Sequence, residues 1–244
     1  MRVFFFDSVI STNNEAVKLI NYGLEPVFGV VANRQTGGRG YHGNQWISED
    51  AENIYFSTAL PIEIFAADEV SMFTQTFVLS FLEKLSPLIH LNVKWPNDIF
   101  FHGKKIGGVL LETCYGGKAV KHAVFGVGIN VASAPDLKNV PDGNYKAAAL
   151  RDFLPSISYA FVLDKVIKAV ADAIHLHKRE AFSEFIANNW KNFDTLYHKQ
   201  ARVKFNGKIF SGKALGIDPN GCFILHINEK KRMLFNSASA KIIL

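Results

Sequence analysis

Val93–Glu112 reads VKWPNDIFFHGKKIGGVLLE, and the fold is decided by how its apolar runs are interrupted. Pro96 removes a backbone donor where the apolar pattern breaks, so Lys94 and Trp95 end one strand and Asn97-Asp98 form the turn after it. The next strand runs from Ile99 to Phe101, His102-Gly103-Lys104 turns the chain, and Lys105 to Thr113 returns as a further strand. Along that strand Lys105 and Gly107 point one way and Ile106 and Gly108 the other, so each face has a place with no side chain. Bare backbone of this kind invites a ligand or a closely packed neighbour.

A second glycine-bearing strand follows at Ala123 to Val131, AVFGVGINV. Glycine inside a strand is destabilising by roughly 0.5 to 1 kcal/mol against alanine, so Gly126 and Gly128 have a packing or ligand reason to be there. Both lie on one face and leave a groove beside the hairpin. Asn130 lies near the strand end, where a polar side chain can meet what occupies it.

Upstream, a strand at Val27 to Ala32 runs into RQTGGRGYHGNQW, Arg34 to Trp46. Gly38, Gly40 and Gly43 match GxGxxG, but a dinucleotide-binding turn must open a helix and needs an acidic residue about twenty positions on. Here the loop joins two strands, the second at Asn53 to Leu60. A glycine loop carrying Arg39 wraps a phosphate with backbone amides and one fixed charge, or is simply a surface loop. Val3 to Phe6 is a short strand, and Ser11 to Glu15 opens a helix. Thr12 and Glu15 have capping-box spacing, and Gly23 fits the helix end. The same Ser-Thr-Asn cluster also offers a helix N-terminus to an anion or carboxylate.

Glu69 to Leu85 reads as a buried helix ended by Pro87. Pro135 to Tyr145 is polar and loop-like, and Ser158–Ala181 and Phe182–Phe193 have helical spacing. His175 and His177, two apart on a helix, diverge and are not a ligand pair. From Ala201 onward short strands alternate with Asn206-Gly207 and Asp218-Pro219-Asn220-Gly221 turns, giving a barrel or sandwich of about 45 residues that is marginal alone.

Composition sets the class. Of 244 residues, 48% are hydrophobic and 20% charged, with 21 Phe, as in a soluble globular protein with a well-filled interior. The net charge of +5 comes from scattered lysines, with no run of cations, so no nucleic-acid partner is expected. Cys114 and Cys222 are too few for a disulfide framework and wrongly spaced for zinc, and are read as core thiols in a reducing compartment. The N-terminus lacks a signal-peptide pattern, and the longest apolar stretch, Val70 to Leu85, carries too many polar residues to span a membrane. The expected location is cytoplasmic.

Three segments now stand together: Gln35 to Trp46, Lys94-Trp95-Pro96-Asn97-Asp98 with Lys105 and Gly108, and Gly126 to Val131. In this order, with Ser11-Thr12-Asn13 ahead and a small β domain behind, nearly the whole chain resembles the biotin protein ligases, or biotin-acetyl-CoA-carboxylase ligases. The resemblance implies an α+β fold. Its catalytic part, residues 1–197, is a mixed sheet with helices on one side, like that of the class II synthetases. Residues 198–244 form a small SH3-like β-barrel. It implies that biotin and ATP give biotinyl-5'-adenylate, and that a lysine of a biotin carboxyl carrier protein then displaces AMP.

Carried over residue by residue, the resemblance assigns Lys105, Arg39 and Asp98 to catalysis. Biotin falls to Ser11, Thr12, Asn13, Gln35, Arg39, Gly40, Tyr41, Lys105, Gly108 and Gly128, with Gly107 and Gly126 also baring the sheet. ATP falls to Arg39, Trp46, Asn97, Asp98, Lys105 and Asn130, and Mg2+ to Asp98. The chemistry is consistent, because a carboxylate brought against an α-phosphate needs cations and aligned donors. Many family members carry further arginines in the loop where this chain has Tyr41, His42 and Asn44, which implies weaker retention of the adenylate or lower nucleotide affinity. The catalytic part begins close to Met1, so an enzyme without a DNA-binding domain is expected, as a monomer or homodimer. The nearest alternative is a lipoate or octanoate ligase or transferase, against which the KWPND stretch speaks. A nucleic-acid-binding module, the reading from another class, predicts clustered surface cations and a steep salt dependence.

Overall fold

The computed structural model describes residues 1–48, 52–61, 70–116, 119–136, 146–178, 182–228 and 231–243. In chain order the regular elements are β1 (Arg2–Val9), α1 (Thr12–Asn21), β2 (Phe28–Gln35), β3 (Ile54–Pro61), α2 (Val70–Leu85), β4 (Asn92–Lys94) and β5 (Asp98–Phe101). They continue with β6 (Lys104–Gly116), β7 (Ala119–Ile129), α3 (Tyr159–Lys178), α4 (Phe182–Phe193), β8 (Gln200–Phe205), β9 (Lys208–Ile217), β10 (Phe223–Asn228), β11 (Lys231–Phe235) and β12 (Ala240–Ile243). The chain divides into two compact units, Met1–Phe65 with Phe101–Ile167, and Ala66–Phe100 with Lys168–Leu244.

The first unit is built on a mixed sheet. β1 and β2 pair in parallel across α1, as a strand-helix-strand unit requires. β2–β3, β3–β7 and β7–β6 pair antiparallel. One register row runs Phe4, Val30, Ser57, Gly126, Leu110. The row beside it takes in Phe28, Ala59, Val124 and Glu112. Opposed residues share a face, so Ser57, Gly126 and Glu112 face the same way as Phe28, Ala59 and Val124. That face is covered by α1, whose Ala16 packs with Phe28, Val30, Ala59 and Val124 and is flanked by Val17, Leu19 and Ile20. Burying this stripe fixes the helix over the sheet and carries its first turn out over Gly126.

The start of α1 departs from the capping box expected of Thr12 and Glu15. Ser11 is the N-cap residue and makes no side-chain cap hydrogen bond. Thr12 instead uses its hydroxyl on Gln35 and Ser57, partners that neighbouring strands supply, while Glu15 pairs with Lys18 at 3.2 Å. Gly23 closes the helix as expected, at φ +87°, and the Leu24 N–H returns to the Leu19 carbonyl at 3.1 Å.

In the second unit β4 and β5 pair antiparallel across the turn expected after Lys94-Trp95, making the KWPND hairpin, with Val93 opposite Ile99 and Lys94 opposite Asp98. Asp98 opens β5 and does not sit in the turn. The Trp95–Pro96 peptide is cis. α2 is the buried helix foreseen from its apolar run, and Ser80 and Lys84 on it both bond Asp172 of α3. After α4 the chain runs beside β4, where the Thr195 N–H bonds the Val93 carbonyl at 2.9 Å. The C-terminal strands form an antiparallel sheet in the order β11-β10-β9-β8-β12, the strand set of an SH3-like domain. It makes up part of this unit, with α2, α4 and the hairpin.

Both cysteines are free and half-buried, and Cys114 packs against the core cluster under α1. Among the described residues no helix is long and apolar enough to cross a membrane. The expected loop at 135–145 and the helix start at Glu69 fall wholly or partly outside the described residues.

Candidate functional site

The site begins with the two glycines of β7. A Cβ at Gly126 would lie 2.5 Å from Asn13 Oδ1, and one at Gly128 would lie 2.5 Å from Trp46 Cε2. The groove expected on this face is therefore walled by two side chains that reach it from α1 and from the glycine loop. Gly107, on the other face, is closed by Ile129, whose Cδ1 would stand 2.6 Å from an added Cβ. Gly108 pairs with Gly128, so the face that holds Asn13 and Trp46 has a further bare position beside them.

A continuous polar chain runs from this face into the loop. Gln35 Oε1 accepts the Thr12 N–H at 2.8 Å and its hydroxyl at 3.1 Å, while Gln35 Nε2 donates to Ser48 Oγ at 2.9 Å. The Ser57 hydroxyl lies 2.7 Å from Thr12 Oγ1 and 2.5 Å from Asn13 Oδ1. Asn13, only 4% exposed, turns its amide nitrogen to Glu112 Oε2 at 2.7 Å. Glu112 in turn accepts Arg39 Nε at 3.1 Å and Nη2 at 2.9 Å, and Nη2 also donates to Asn14 Oδ1 at 2.8 Å. Partial burial raises the Glu112 pKa, but hydrogen bonds from Arg39 and Asn13 and the Arg39 charge outweigh it and hold it below the usual carboxylate value.

The loop owes its shape to its glycines and to short-range bonds. The Trp46 N–H bonds the Gly38 carbonyl at 2.9 Å, the Gly40 N–H bonds the Asn44 carbonyl at 2.7 Å, and Tyr41–Gly43 makes one tight helical turn. Trp46 is thus brought back over Gly128. Its indole N–H is buried without a hydrogen-bond partner, and Lys105 Nζ lies 5.3 Å from its ring centroid. Lys105 is fixed by backbone bonds to the Lys146 carbonyl at 2.8 Å and from the Ala148 N–H at 2.9 Å. Asn130 is buried, and its side chain donates to the Ala148 carbonyl at 3.2 Å. The Lys105 ammonium thus stands beside the ring that covers Gly128, and Arg39 is tied through Glu112 to Asn13 over Gly126. Such an arrangement suits a ligand with a polar head and an anionic end.

The structure thus gathers Thr12, Asn13, Gln35, Arg39, Trp46, Lys105 and Gly128 in the first unit, linked directly or through common partners. Ser11 is buried at the N-cap beside them, and Gly40 and Tyr41 belong to the same loop. Asn97 and Asp98 belong to the second unit, where both form part of the hairpin and Asp98 Oδ2 stands 3.7 Å from Lys94 Nζ. Lys94 is itself buried, with its ammonium 5.3 Å from the Phe100 ring centroid. Sequence reasoning gave no role to Glu112, Ser57 or Asn14. The available signal was alternation: Gly108, Leu110 and Glu112 recur at every second position, which puts a carboxylate on the same face as the bare glycine.

A sequence model of the biotin/lipoate A/B protein ligase family matches residues 5–130, just over half of the chain. The bifunctional ligase/repressor BirA of Bacillus subtilis (strain 168) is 28% identical over 243 residues, spanning 96% of this chain and 72% of that protein. The biotin--[acetyl-CoA-carboxylase] ligase of Paracoccus denitrificans is 35% identical over 136 residues, 54% of this chain and 56% of its own. Among solved structures, biotin protein ligase from Aquifex aeolicus in complex with biotin and ATP shares the fold at a TM-score of 0.81. It is 24% identical, covering 99% of this chain and 98% of that one. With the glycine loop, the KWPND hairpin and the glycine-bearing β7 all in place, the chain belongs to the biotin/lipoate A/B protein ligase family.

Proposed function

We propose that the protein is an ATP-dependent biotin protein ligase, joining biotin to a lysine of a biotin carboxyl carrier protein through biotinyl-5'-AMP. The observation that carries this reading is that Lys105 and Arg39 each stand beside a side chain that covers a β7 glycine, Trp46 over Gly128 and, through Glu112, Asn13 over Gly126, in a chain whose relatives are biotin ligases. In the first half-reaction a biotin carboxylate oxygen attacks the α-phosphorus of ATP, the bond to the β-phosphate oxygen breaks, and pyrophosphate leaves. Two anions meet in that step, and Lys105 offsets their repulsion while Arg39 holds the phosphate region. In the second, the neutral ε-amine of the carrier lysine attacks the acyl carbon. AMP leaves, a proton is lost from nitrogen, and an amide remains.

Ser11, Thr12, Asn13 and Gln35 are assigned to the biotin head, with Gly40, Tyr41, Gly108 and Gly128 closing on it. Thr12, Gln35 and Asn13 present both donors and acceptors, which a ureido ring needs. Trp46, Asn97 and Asn130 are assigned to the nucleotide. Among the described residues no cluster of three or more His, Cys, Asp or Glu is built to hold a metal. Asp98 is a single carboxylate, which fits Mg2+ held chiefly by nucleotide phosphates. Bound there, the ion neutralises phosphate charge. The division at 197/198 into catalytic and small β domains, and a cytoplasmic location, go with this reading.

The deciding experiment is pyrophosphate exchange into ATP, which biotin should stimulate and lipoate should not. Stimulation by lipoate alone would transfer the chain to the acyl-ligase branch of the family. Lys105→Ala should lower the exchange by at least about a hundredfold. A wild-type rate of adenylate formation in that variant would remove Lys105 from its role.

A further inference from the structure

Arg39 stands on a glycine loop, yet it is oriented by the sheet and by α1. Three of its five N–H donors are engaged: Nε by Glu112 Oε1, and Nη2 by Glu112 Oε2 and Asn14 Oδ1. Among the described residues nothing engages Nη1. Glu112 stands on β6 opposite Val124, inside a rigid ladder, and its Oε2 also receives the Asn13 amide nitrogen. One carboxylate therefore sets two groups, the guanidinium in a two-point fork and the Asn13 amide with its oxygen toward Ser57.

We propose that Glu112 is a positioning residue of the nucleotide and biotin site, holding Arg39 so that its Nη1 edge meets the substrate anion and fixing which way Asn13 presents its amide. This rests on the ligase reading above. A long side chain on a loop loses rotamer freedom when it binds, and tethering it in advance to a strand removes that loss from the binding step. The fork is the geometry in which arginine is held most firmly by a carboxylate. Arg39 and Glu112 keep 39% and 34% side-chain exposure, so the pair leaves the guanidinium open to a ligand. The lowered Glu112 pKa keeps the carboxylate charged below the usual carboxylate range, so the tether persists at neutral pH.

The test is a double-mutant cycle read by biotin-stimulated pyrophosphate exchange, with KM for ATP and for biotin and kcat measured separately. Glu112→Gln should raise the KM for ATP by about tenfold in the wild-type background, and by less than about twofold beside Arg39→Met. Asn14→Ala, at an exposed helix position that folding tolerates, should raise the same KM by roughly threefold, again only while Arg39 is present. Equal effects in both backgrounds would overturn the proposal. So would a lowered KM for ATP in Glu112→Gln, which would make Glu112 a competitor of the anion for Arg39. A wild-type chain with no biotin-stimulated exchange would overturn the ligase reading itself, a result separable from either of these.

Discussion

Trp95 donates its indole N–H to the carbonyl oxygen of Gly221 at 3.0 Å. The same carbonyl accepts Gln75 Nε2 at 2.8 Å, and the Trp95 ring lies against Phe223 with centroids 5.5 Å apart. The turn between β9 and β10 is thus fastened at one atom to α2 and to the KWPND hairpin. This assigns Trp95, only 1% exposed, a role inside the second unit that its sequence position does not disclose. Trp95→Phe keeps the ring contact and removes the donor. It should lower stability by about 1–2 kcal/mol, measured as a lower urea midpoint with an unchanged slope.

Gly128→Ala places a methyl where the Trp46 ring now lies, 2.5 Å from Cε2 and 2.6 Å from Cζ2. The indole must swing away and lose its place beside Lys105. Acrylamide quenching of tryptophan emission should increase, because Trp95 and Trp190 are buried at 1% and Trp46 is the one that moves. Biotin-stimulated exchange should fall by at least about tenfold, since displacement of a positioning wall by an ångström is felt strongly in rate.

Asn53 holds the turn after β7. Its Oδ1 accepts the N–H groups of Val131, Ala132 and Ser133 at 2.8, 2.9 and 3.3 Å, and its Nδ2 donates to the Ser133 carbonyl at 3.0 Å. Asn53→Ala strands buried donors and should cost about 2–3 kcal/mol. Faster amide exchange confined to Val131 and Ala132, next to Asn130, checks the local origin of the loss.

Asp194 supplies a pH dependence. Burial lifts its pKa from the ordinary aspartate value of 3.8 to about 6, against the lowering effect of hydrogen bonds from the Leu196 N–H and Trp190 Nε1 and of the nearby Lys199. The folded state therefore holds the proton more tightly than the unfolded one. The stability from this group is complete below pH 3.8 and is lost as the pH rises through about 6, a change of about 3 kcal/mol at most. The difference in stability between wild type and Asp194→Asn, from urea melts at several pH values, should fall across that window and stay flat above it. A difference independent of pH would refute the assignment.

The hairpin, the buried α2 and the closely spaced C-terminal strands were legible because each rests on local pattern: a proline, an apolar run, a turn pair. Gly126 and Gly128 were legible as positions needing a neighbour, but the neighbours were not, because Asn13 and Trp46 lie far away in sequence. Thr12 shows the same limit from the other side. Its spacing to Glu15 promises a local cap, yet Ser57 and Gln35 claim its hydroxyl once β2 and β3 arrive. Glu112 stood in the Lys105–Thr113 strand without a role because its worth lies in Arg39, Asn13 and the fork they make. Trp95 read only as part of a turn until Gly221 supplied the acceptor.

The pairing of β3 with β7 joins Ile54 to Ile129 and Pro61 to His122. No hairpin produces these contacts, since α2 and both strands of the KWPND hairpin are spelled out between them. The parallel β1–β2 pair and the β6–β7 hairpin form from nearer segments, so the ladder that sets Ser57 beside Gly126 closes over the longest stretch of chain. Loop-closure entropy places that ladder among the slow steps of assembly. During synthesis, the face on which Asn13, Trp46 and Glu112 converge comes into being only after β7 has been made.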